Sequence, residues 1–98
     1  MITWRQEGER VVFSGEFGMS EAEKLHGIML EAVKTARKLI LDLGQVDAID
    51  TASVQILAAM AKQGRIKGLV VTPEVTRALT TLGLGGLFKP FLAGEAQA

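Results

Sequence analysis

The sequence predicts one α/β domain over residues 1–98, with a mixed β-sheet packed against helices in the order β-β-α-β-α-β-α. Three observations carry this. Four short runs of strand character alternate with longer stretches whose apolar residues recur every three or four positions. Two of those runs, Leu39 to Leu43 and Gly68 to Val71, are almost wholly apolar, as strands covered on both faces are. Start and stop signals for helices fall between them.

The chain opens on an alternating run, Ile2 to Gln6, followed by a glycine-bearing turn at Glu7-Gly8-Glu9 and a second run, Val11-Val12-Phe13, which predicts a hairpin closed by Ser14-Gly15. Ser20 and Glu23 have the spacing of a capping box, in which each side chain satisfies an orphan backbone N–H. The helix they announce carries Ala22, Leu25, Ile28, Met29, Ala32, Val33 and Ala36 on one face. After the strand at Leu39 to Leu43, Gly44 to Ile49 is expected to be a connection. A second helix is expected from Thr51 to about Gln63, closed by Gly64, which accepts positive φ.

Thr72-Pro73-Glu74 opens a third helix. Threonine caps it, proline suits the first helical position, and glutamate meets the positive end of the dipole. Val75, Ala78, Leu79 and Leu82 form its apolar stripe and Gly83 ends it. Leu87 to Phe91 is expected to be a last strand or a docking segment, and residues 94–98 a flexible tail. Strand–helix–strand units imply parallel pairing.

The bulk numbers exclude several functions. Eleven basic and eleven acidic side chains cancel, and only 5% of residues are aromatic, so neither a nucleic-acid platform nor attraction to an anionic membrane is expected. No apolar run approaches the roughly 20 residues of a membrane helix, and the N-terminus has no signal-peptide pattern. Without cysteine there are no disulfides or thiolate ligands. The expected location is cytoplasmic.

The stretch Leu39-Ile40-Leu41-Asp42-Leu43, a short loop, then Ile49-Asp50-Thr51 and a helix resembles the signature of the STAS family, shared by anti-sigma factor antagonists and sulfate transporters. Ser14-Gly15-Glu16-Phe17 is similar to the family's turn before its first helix. The resemblance implies a non-enzymatic bacterial signal-transduction module that docks on a protein partner. That partner would be an anti-sigma factor kinase, a chemotaxis-type kinase or a transporter ATPase. It implies a docking surface of Asp50, Thr51, Ser53, Val54 and Gln55, beside the loop Gly15 to Ser20, and makes Thr51 the candidate for phosphorylation. Two positions depart from the kinase-regulated pattern: Gly18 stands where those members carry aspartate, and Ser53 where they carry glycine. Asp-Thr-Ala at Asp50-Thr51-Ala52 is similar to STAS proteins of chemotaxis-type operons and to the small cytoplasmic subunit of phospholipid ABC transporters, where docking needs no phosphate.

The residues taken alone leave capping and docking both open at this segment, because Asp, Thr and Ser oxygens all accept amide bonds at a helix start. A second function class stays open as well: a nucleotide- or lipid-binding domain, with a phosphate at the Thr51 helix end and a tail in the leucine-rich C-terminal region. Asp42, Asp47 and Asp50 match no metal loop and read as turn and capping groups. His26 has no ligand companions. Gly83-Leu84-Gly85-Gly86 follows a helix and lacks the lysine of a phosphate loop. No nucleophile–base–orienter set is visible, and no metal or cofactor is expected. Trp4 and the first hairpin's open edge would permit self-association.

Overall fold

The computed structural model describes residues 2–18 and 21–96, with side chains described through residue 91. The elements are β1 (Ile2–Glu7), β2 (Arg10–Phe17), α1 (Glu21–Thr35), β3 (Leu39–Ile49), α2 (Thr51–Lys62), β4 (Ile66–Val70), α3 (Pro73–Thr81) and α4 (Gly85–Ala96). The strands form one sheet in the order β1-β2-β3-β4. β1 and β2 make the expected antiparallel hairpin, while β2–β3 and β3–β4 are parallel, so the sheet is mixed.

The register explains which side chains face the core. Val11, Leu41 and Leu69 form one row across three strands and are buried, as are Leu39, Leu43 and Ile66. The alternate row, Arg5, Val12, Asp42 and Val70, points to the opposite face. On the buried side α1 contributes Leu25, Ile28, Met29 and Ala32, and α2 contributes Val54, Leu57, Ala58 and Ala61. α1 and α2 lie side by side there. A single cluster joins these to Phe13, Phe17, Val75, Leu79 and Phe88.

Local chemistry fixes the ends of the elements. Thr72 caps α3 as expected: its Oγ1 accepts from the Val75 N–H at 3.2 Å, and its hydroxyl donates to the Val46 carbonyl at 3.2 Å, tying the helix to β3. Gly64 and Gly83 take φ of 73° and 74° after their helices, a region that costs L-residues energy.

Three expectations require correction. The run Gly44 to Ile49 is not a loop: β3 continues through it for eleven residues, paired with a β2 that itself runs on to Phe17. The polar pattern there reflects register shifts, between Val12 and Ser14 and again between Gly15 and Glu16, which interrupt regular alternation. Leu87 to Phe91 is not a strand but the middle of α4, which includes Pro90 and continues to Ala96. β4 begins at Ile66 rather than Gly68. The Ser20 half of the capping box lies outside the described residues, as does Met19; Glu23 sits in the first turn of α1.

Candidate functional site

The long β3 carries the chain to the start of α2. Ile49 pairs with Phe17, and the Asp50 N–H donates to the Phe17 carbonyl at 3.1 Å, so the two strand ends are joined up to the helix start. Asp50 is the N-cap, with extended φ and ψ of −88° and 168°. Its Oδ1 accepts from the Ser53 N–H at 3.0 Å. One orphan amide of the first turn is thereby satisfied.

The candidate docking residues divide into two sets. Thr51 and Gln55 are exposed and Asp50 is half-buried. Ser53 and Val54 are fully buried and turned into the core, so they contribute no surface. Helical period explains the split: Ser53, Leu57 and Met60 share one stripe, while Thr51, Gln55 and Ala59 share another. The Ser53 hydroxyl has no hydrogen-bond partner. Of the neighbouring loop, Gly15 and Glu16 belong to β2 and Gly18 follows it.

Sequence reasoning missed the second wall of the site. A groove of about 330 Å³ runs between the start of α2 and α3, lined by Thr51, Ile49, Glu74, Arg77, Thr81 and Leu82. Helical spacing in α3 held the signal, because Glu74, Arg77 and Thr81 recur on the side away from buried Val75 and Leu79. Neither Glu74 nor Arg77 makes an ion pair among the described residues.

The other chemistry-bearing residues take structural places. Asp42 Oδ2 accepts from Arg10 Nη1 at 2.9 Å and Asp42 Oδ1 accepts from the Gly44 N–H at 3.0 Å. Its carboxylate therefore stabilises the bulged strand. Among the described residues no group of three or more His, Asp or Glu side chains converges as metal ligands would. No helix of the described residues is long and apolar enough to cross a membrane.

Glu16, Glu21, Asp47, Asp50 and Glu74 lie toward the end where β2 and β3 finish and α2 begins. Arg37, Lys38, Lys62 and Arg65 lie at the opposite end, where β3 and β4 begin, together with Glu7 and with Glu9, which pairs with Lys67 at 2.7 Å.

Comparisons with known proteins agree with this architecture. The chain superposes on an anti-sigma factor antagonist from Mycobacterium paratuberculosis with a TM-score of 0.71 and 26% identity, covering 93% of this chain and 83% of that one. It also superposes on the unphosphorylated anti-sigma factor antagonist SpoIIAA, with a TM-score of 0.64 and 22% identity, covering 89% of this chain and 84% of that one. No curated protein sequence matches it. The family model described as "Mlab, STAS domain" matches residues 1–92, nearly the whole length, and the chain belongs to that STAS family.

Proposed function

We propose that this STAS domain is a non-enzymatic regulatory module that docks on a protein partner through the start of α2, with Thr51 at the centre of the contact. The observation that carries this is the groove between α2 and α3. Thr51 is exposed on it beside an unpaired arginine, Arg77, an unpaired glutamate, Glu74, and the apolar Ile49 and Leu82. A mixed polar and apolar recess at the end of a rigid strand suits a partner's helix or loop. Asp50 holds the turn, Gln55 extends the surface along the helix, and Arg77 supplies a charge for an acidic partner group.

Thr51 is also the residue that a kinase would modify. A phosphate there adds about −1.5 to −2 charges among Asp50 and Glu74, opposing an acidic partner, and within the groove that holds Arg77. The likeness to anti-sigma factor antagonists favours an anti-sigma factor kinase as the partner class. The "Mlab" description of the matching family favours a transporter ATPase as the second.

The test is capture of partners from the native host with wild type and Thr51→Glu as baits. The expected result is a kinase or ATPase held by wild type and lost by the variant, with the thermal melts of the two within a degree or so of one another. Equal recovery on both baits removes Thr51 from the contact. A saturable melting shift with nucleotides in place of any protein partner would favour the small-molecule reading of this helix end.

A further inference from the structure

A second recess lies apart from Thr51, on the outer side of the α1–α2 pair. It encloses about 380 Å³ and is walled by Leu30, Val33, Ile56, Ala59 and Met60. Leu30 is 50% exposed, the highest value among the exposed large hydrophobic residues. Solvated leucines on otherwise polar helix faces are ordinary one at a time. Here the leucine belongs to a mainly apolar trough, which His26 and Gln55 also line, and its volume falls in the range of small-molecule sites, roughly 300–1,000 Å³.

The trough does not end in neutral surface. Gln63 and Arg65 line it too, and the same two residues line a second, adjoining recess of about 540 Å³ with Arg37, Lys38 and Gly64. Arg65 is half-buried and borders both, and arginine is a side chain whose stem can cover apolar surface while its guanidinium stays with polar groups. No acidic side chain lines either recess. None of Arg37, Lys38 and Arg65 makes an ion pair among the described residues. These cations also face the negative ends of α1 and α2, which accounts for their charge. It does not account for an apolar trough opening onto them.

We infer that this composite recess binds a free, single-chain anionic amphiphile, a fatty acid or lysophospholipid, with the chain between α1 and α2 and the carboxylate or phosphate against Arg37, Lys38 and Arg65. Charge complementarity selects the headgroup: guanidinium forks match carboxylate and phosphate oxygens. The recessed trough selects one chain rather than a bilayer surface, which would be met by apolar side chains standing proud of the helices. The site shares only Gln55 with the proposed docking surface and does not depend on Thr51.

The experiment is an amide NMR titration of the full chain with laurate below its micelle threshold, beside monolaurin, which has the tail without the charge, and inorganic phosphate, which has the charge without the tail. Laurate is expected to give saturable shifts centred on Leu30, Ile56 and Arg65, with monolaurin weaker by about tenfold and phosphate confined to the cationic end. Arg37→Glu with Lys38→Glu should weaken laurate by about tenfold or more, and Leu30→Glu should abolish the shifts in the trough. All three positions are exposed, so the fold should survive. Equal binding of laurate and monolaurin, or unchanged binding in both variants, overturns the inference. So does binding to phosphatidylglycerol vesicles with no response to laurate, which would reassign the face to membranes.

Discussion

The Asp50 carboxylate accepts the Ser53 amide at 3.0 Å and so closes the first turn of α2. Removing it should be costly. Asp50→Ala is expected to lower stability by about 1 kcal/mol, read from urea denaturation, while Asp50→Asn should retain most of it. An Asp50→Ala protein as stable as wild type would mean that the first turn is held by other contacts.

Ser53 itself is a different case. Its amide is satisfied but its hydroxyl is buried without a partner. An unmatched buried hydroxyl costs about 1–3 kcal/mol, so Ser53→Ala should leave the protein as stable or more stable. Ser53→Gly should be less stable than Ser53→Ala by about 1 kcal/mol, because glycine loosens the turn. Chemical denaturation of the three proteins side by side orders them.

Gly64 adopts φ of 73°, and a Cβ placed there meets no atom within 4 Å. Any penalty for Gly64→Ala is therefore backbone strain alone, about 1–2 kcal/mol. Gly64→Asn should lose less, since asparagine tolerates this region. Melting temperatures of the two variants compared with wild type would show it, and equal losses would contradict the backbone account.

Phe88 ties α4 to the core and is fully buried. Phe88→Ala should destabilise the protein by about 3–5 kcal/mol, whereas Lys89→Ala, on the exposed side, should be nearly silent. A silent Phe88→Ala would show that the domain folds without α4.

Much of this molecule was legible because its signals are local. Thr72-Pro73-Glu74, Gly64 and the Asp50 cap each announce themselves within one turn of helix, and the structure places all of them as expected. What was not legible depends on distant partners. Gly44 to Ile49 reads as a loop until β2 is laid beside it with two register shifts. Leu87 to Phe91 is a short apolar run that periodicity cannot assign to strand or helix, and burial of Phe88 against the core decides it. At the candidate site the identities Asp50 and Thr51 stand out in the sequence. The second wall from α3 does not, because twenty-odd residues separate Thr51 from Glu74 and Arg77. Ser53 and Val54 were assignable to the inner face by counting from Leu57, since i−4 and i−3 neighbours share a helix stripe.

The extension of β3 past Asp42 has a further consequence for binding. Thr51 stands at the tip of a cantilever whose last residues are clamped by Phe17, not at the apex of a flexible loop. A partner docking there, as proposed, would meet a preorganised epitope and forfeit little conformational entropy in ordering it. Most of the variation in affinity among such partners should then reside in how quickly they let go, not in how quickly they arrive.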